Sequence, residues 1–82
     1  MDQASRTPVQ LGAALRRQRK ARGLTQADLG GLINKRQATI SSLESGGGAT
    51  LDTLLAVLAA LDLELVVRPR RKGATIDLGD IF

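Results

Sequence analysis

The sequence contains no cysteine, histidine, tryptophan or tyrosine, and a single phenylalanine in 82 residues. Without cysteine and histidine there is no disulfide, no thiolate nucleophile, no zinc site of the usual Cys/His type and no histidine general base. With one aromatic there is almost nothing on which the bases of RNA or of a single strand would stack. No apolar run approaches the ~20 residues that span a bilayer. MDQASRTP at the N-terminus lacks the basic-then-apolar pattern of a secretion signal. The expectation is a cytoplasmic, non-enzymatic protein with no metal, no cofactor and no membrane.

What is present is positive charge, unevenly spread. The net charge is +4, yet eight of the twelve basic residues lie in residues 1–46 against three acids, so that stretch carries +5. A second cluster, Arg68, Arg70, Arg71 and Lys72, precedes a tail holding Asp77 and Asp80 and no base. Clustered Lys and Arg point to a polyanion, and with stacking set aside the polyanion left is duplex DNA. At this length one core is near the lower end of what holds a domain together, so a dimer is a natural source of extra burial.

The helical signals are local and repeated. TPVQ reads as an N-cap Thr7 with Pro8 at the first helical position, opening a helix that runs to about Arg22 and stops at Gly23. Leu11, Ala14, Leu15 and Gln18 share one face of it, with Arg16, Arg17, Lys20 and Arg22 largely outside. TQAD repeats the capping logic at Thr25, with an acid in the first turn, for a short helix over residues 26–32. Gly30 and Gly31 weaken that helix by ~1 kcal/mol each relative to Ala, so packing must hold it, and Gly30 is where a neighbouring helix is expected to approach. Asn34 suits a left-handed turn, and a third helix follows from about residue 37 to Ser45, before GGG. Thr50 caps a fourth, LDTLLAVLAALD, whose Leu51, Leu54, Leu55, Leu58 and Leu61 form a wide apolar stripe. The period then changes to two, placing Leu63, Leu65 and Val67 opposite Glu64, Val66 and Arg68, as in a strand that ends at Pro69. A lone strand has nothing in its own chain to pair with, so it frays or pairs with its copy in a second chain.

Two short helices joined by a turn with Asn at its centre have the spacing of a helix-turn-helix, in which the second helix lies in the major groove. RQATISSLESG fits that role, because Ile40 and Leu43 face inward and Gln37, Ala38, Ser41 and Ser42 are left outside. Such a surface is short and polar enough to reach base edges. Gln bonds adenine bidentately, the Ala38 methyl suits a thymine methyl, and the hydroxyls suit phosphate and base acceptors alike. Gly46 to Gly48 is no phosphate loop, lacking the strand before it and the Lys-Ser/Thr after it. Glu44 has no second carboxylate or base beside it in sequence, so an enzyme reading is poor.

LRRQRKARGLTQADLGGLINKRQATISSLESG resembles the helix-turn-helix of the lambdoid phage repressor and Cro group, the XRE family, and the likeness covers residues 11–61. Thr25-Gln26 opening the second helix, Gln37 opening the reading face, Ile40 and Leu43 within, and Leu43-Glu44 before Ser45-Gly46 carry it. Gly30 and Asn34 depart from the family's usual Ala and Gly. The resemblance implies base reading by Arg36, Gln37, Ala38, Ser41 and Ser42, and phosphate contacts from Thr25, Gln26, Thr39 and Ser45. Arg16, Arg17 and Lys35 are expected to add basic phosphate contacts of their own. It also implies a buried ion pair between Arg19 and Glu44. ALDLELVVRPRR is similar to the end of HipB-type antitoxin cores. This implies a mainly α, lambda-repressor-like bundle of four helices plus a C-terminal β-strand pairing across a homodimer, through Leu63, Leu65, Val66 and Val67.

The expected organisation is an extension over residues 1–6, a DNA-binding domain over 7–62, a dimerising strand over 63–70 and a tail over 71–82. Ile76, Leu78, Ile81 and Phe82 of the tail are candidates for docking a toxin. The expected function is a repressor of its own operon that binds a palindromic operator on bacterial DNA and acts as antitoxin to a HipA-like Ser/Thr kinase. A stand-alone XRE-family regulator without a toxin, and an adaptor that no longer reads DNA, are the competing readings.

Overall fold

The computed structural model describes residues 4–70. Four helices follow one another: α1 (Pro8–Ala21), α2 (Gln26–Leu32), α3 (Gln37–Glu44) and α4 (Leu51–Ala60). The expected bounds hold to within two residues. Thr7, Thr25 and Thr50 each accept a backbone N–H from three residues on, at 3.1, 3.0 and 3.2 Å, which satisfies a donor the helix itself leaves open. At Thr25 the exchange is reciprocal, since the Asp28 carboxylate accepts from the Thr25 N–H at 2.9 Å. That bond to the backbone N–H, followed by the Thr25 side-chain bond, holds the Asp28 carboxyl below its ordinary range.

All four helices end the same way. The residue after the C-cap lies in the left-handed region: Gly23, Asn34, Gly46 and Asp62 have φ of 70, 58, 93 and 57°. The next N–H reaches back over the last turn, Leu24 to Arg19, Lys35 to Gly30, Gly47 to Ser42 and Leu63 to Leu58, at 2.7 to 3.2 Å. This double closure satisfies the terminal carbonyls and reverses the chain tightly. Asp62 is the position that the sequence did not flag.

α3 packs on both α1 and α2, and α2 also meets α4. The core consists of Leu15, Leu29, Ile40, Leu43, Val57, Leu58 and Leu61, with Leu11, Leu24, Ile33, Leu54 and Leu63 packed at its edge. Three expectations are corrected here. On α1, Gln18 is exposed and Arg19 is buried in its place. The buried face of α4 is Thr53, Val57 and Leu58, continued by Leu61, while Leu51 and Leu55 stay 65% and 44% exposed. The apolar arc of α4 is wider than the other three helices cover. Finally, no helix presses on Gly30: a Cβ there would lie 2.6 Å from the Lys35 carbonyl oxygen, so it is the turn backbone that folds over it.

The close helix approach is at Gly12 instead, where a Cβ would stand 2.5 Å from the Leu43 carbonyl oxygen and 2.6 Å from that of Glu44. In an open helix Gly→Ala gains ~1 kcal/mol of propensity. Here overpacking against backbone, typically about 1–3 kcal/mol and more where nothing can give way, outweighs it. Gly12→Ala is therefore expected to lower stability in denaturant titration, and a stabilised variant would show that α1 and α3 slide apart freely.

No strand is formed among the described residues. Residues 63–70 form no regular element, and only Leu63 packs partly inward; Leu65, Val66 and Val67 are 53, 63 and 92% exposed. Ile76, Leu78, Ile81 and Phe82 lie outside the described residues.

Candidate nucleic-acid interface

α2 and α3 are joined by residues 33–36, whose reversal at Asn34 sets α3 across α2. Ile40 and Leu43 anchor α3 inward at 0 and 6% exposure. On its other side Gln37, Ala38, Ser41 and Ser42 are exposed together, with Arg36 as N-cap and Lys35 in the turn also exposed. The expected reading set thus shares one accessible face. Thr39 is half-buried at its edge.

Arg16, Arg17 and Lys20 line a shallow depression with Ala13 beside Glu44, at the C-terminal end of α3. Lys20 was not among the expected phosphate contacts. Its signal was available, since it stands four residues after Arg16 and three after Arg17, on the same helical face. The Thr25 hydroxyl accepts the Asp28 amide N–H at 3.0 Å. Ser45 is turned the other way: its hydroxyl donates to the Ser41 and Ser42 carbonyls at 3.0 and 3.1 Å. It is therefore not arranged with the other phosphate candidates as a donor toward DNA.

Beneath this face lies the Arg19 and Glu44 pair, 6 and 8% exposed. Arg19 Nε donates to Glu44 Oε2 at 2.6 Å and Nη2 to Oε1 at 2.9 Å, a bidentate fork, while Nη1 donates to the Leu24 carbonyl at 2.6 Å. Gln26 Nε2 adds a bond to Glu44 Oε1 at 3.2 Å. Burial pushes the Glu44 carboxyl up, but the bonds from Arg19 and Gln26 and the charges of Arg19 and Arg16 outweigh it and hold it below its ordinary value. The bond to Glu44 raises Arg19 in turn. The pair ties the last turn of α1 to the end of α3.

The helix-turn-helix family profile matches residues 15–67 of this chain. The chain belongs to the XRE-type helix-turn-helix family. Similar solved structures include a variant HipB in complex with an O2 20mer, at 33% identity and a TM-score of 0.79, covering 87% of this chain and 100% of that one. HipB in a HipA-HipB-O2-O3 complex is 32% identical with a TM-score of 0.78, over 85% of this chain and 100% of that one. The restriction-modification controller protein C.AhdI from Aeromonas hydrophila is 33% identical, with a TM-score of 0.66 over 70% of this chain and 84% of that one. A comparison with curated protein sequences finds no match.

As an XRE-type protein of HipB-like structure, the chain is a DNA-binding regulator. No helix among its described residues is long and apolar enough to cross a membrane. No cluster of metal-ligating side chains occurs among them either.

Proposed function

We propose that this XRE-type regulator is a dimeric repressor of its own operon that reads a palindromic duplex with Arg36, Gln37, Ala38, Ser41 and Ser42. The observation that carries this reading is the accessible polar face of α3, flanked by Lys35 and Arg36 on one side and by Arg16, Arg17 and Lys20 beyond its other end. Thr25, Gln26, Thr39 and the basic groups supply phosphate contacts; Ser45 joins them only if its hydroxyl rotates away from α3. Half-site centres about one helical turn, ~34 Å, apart follow from a twofold dimer.

Gln37→Ala should cost about 1–3 kcal/mol on the selected duplex and relax base preference, because a bidentate contact is lost. Arg16→Ala or Lys35→Ala should weaken every sequence similarly and reduce the salt slope by about one. A footprint unchanged in strength and sequence by Gln37→Ala would remove the reading face from α3.

The finer proposal is an antitoxin role toward a HipA-like Ser/Thr kinase. It is supported by the likeness to HipB, one of whose structures is a complex with HipA. It is also supported by the composition of the tail, where Ile76, Leu78 and Ile81 alternate with Asp77 and Asp80 and Phe82 ends the run. Pull-down of the adjacent gene product by the full chain, but not by a 1–72 truncation, is the expected result. No retention by the full chain leaves a stand-alone regulator; equal retention by the truncation moves the contact to the helical body.

A further inference from the structure

A line of hydrogen bonds runs from the core to the reading face. Glu44 accepts two bonds from Arg19 and one from Gln26 Nε2 at 3.2 Å, and Gln37 Nε2 donates to Gln26 Oε1 at 3.5 Å. The Arg19 guanidinium is held by the Leu24 carbonyl as well, so the start of the line is fixed. Each later link has a direction. A carboxylate has no hydrogen to give, so the Gln26 amide meets Glu44 only through its NH2, which leaves its oxygen toward Gln37. Gln37 accordingly turns its own NH2 inward. Its outward side then carries the amide oxygen and the second N–H, an acceptor and a donor, the complement of adenine N6–H and N7. A reversed Gln37 would offer two N–H groups, the complement of guanine O6 and N7.

We propose that Glu44, acting through Gln26, is a positioning residue that sets the amide polarity of Gln37 and so its preference for adenine over guanine. This rests on the reading of Gln37 as a base contact. It goes beyond it, because Glu44 is buried beneath the face and touches no DNA itself. An ion pair that only joins α1 to α3 would change stability without changing which base is preferred.

The test uses the full chain and duplexes selected by it from a randomised library, with the Gln37 position located by the Gln37→Ala variant. The quantity read is the affinity ratio between duplexes carrying adenine and guanine there, in which losses of stability and changes of overall charge cancel. The parent should favour adenine about tenfold or more. Gln26→Lys keeps the Arg19 and Glu44 pair but offers Gln37 only donors, which reverses its amide and moves the ratio about tenfold toward guanine. Glu44→Gln lets Gln26 adopt either orientation, so the ratio should shrink to within about threefold. Adding Gln26→Glu to Glu44→Gln restores an acceptor-only group against Gln37 and should restore the parent ratio. An unchanged ratio in Gln26→Lys overturns the proposal, whether or not Glu44→Gln folds. A parent without base preference at that position overturns instead the reading of Gln37 on which the proposal rests.

Discussion

Glu44→Ala is expected to destabilise the domain by about 3–5 kcal/mol, because it leaves the Arg19 guanidinium buried without its partner. For a chain this small that is a large share of a total stability of ~5–15 kcal/mol, and on the order of 20 °C in melting temperature. Arg19 keeps one bond, to the Leu24 carbonyl, which does not neutralise it. Replacing both residues by apolar ones of similar volume should be far milder, since the desolvation of two charges is then removed together. The same pair makes the fold acid-sensitive. The folded Glu44 carboxyl sits below its ordinary value of 4.5, so its contribution is complete above that pH and is lost as pH falls through the depressed folded value. Asp28 at the α2 cap acts in the same direction. Melting temperature should fall below about pH 4.5 in the parent and fall less steeply in Glu44→Gln. A melt of Glu44→Ala that overlays the parent would show the pair to be dispensable.

Val66→Pro is expected to abolish the proposed dimer and, with it, tight operator binding. Residues 63–70 leave Leu65, Val66 and Val67 on the surface, with no ladder partner among the described residues. Pairing with the same segment of a second chain would satisfy those backbone groups and cover that apolar surface. Proline removes a donor and clashes in a ladder. Sedimentation at micromolar concentration should give monomer, and affinity for a two-half-site duplex should fall toward that for one half-site. A variant that remains fully dimeric moves the interface, with exposed Leu51 and Leu55 of α4 the next surface to test.

Much of the fold was legible because its signals are local. A capping Thr before α1, α2 and α4, and Gly23, Asn34 and Gly46 behind α1, α2 and α3, act through hydrogen bonds spanning three to five residues, which sequence spacing encodes directly. The polar face of α3 was legible for a similar reason: Ile40 and Leu43 leave only one side of α3 for Gln37, Ala38, Ser41 and Ser42.

Burial across elements was not local and was decided by packing. Periodicity alone predicted Gln18 inside, whereas the structure buries Arg19, because a carboxylate 25 residues away and the Leu24 carbonyl satisfy its donors. Resemblance, not spacing, had anticipated that pair. Periodicity also marked five leucines of the α4 segment for the core, yet α4 turns Val57 inward and leaves Leu51 and Leu55 outside, since three neighbouring helices cover only part of its arc. Gly12 carries no local mark of the backbone that crosses it. The sequence by itself therefore determined where the helices begin and end and which side of α3 is polar. Only the tertiary structure decided which apolar surface is covered, where α1 and α3 touch, and how a buried carboxylate reaches Gln37 through Gln26, because those contacts join residues 11 to 32 positions apart.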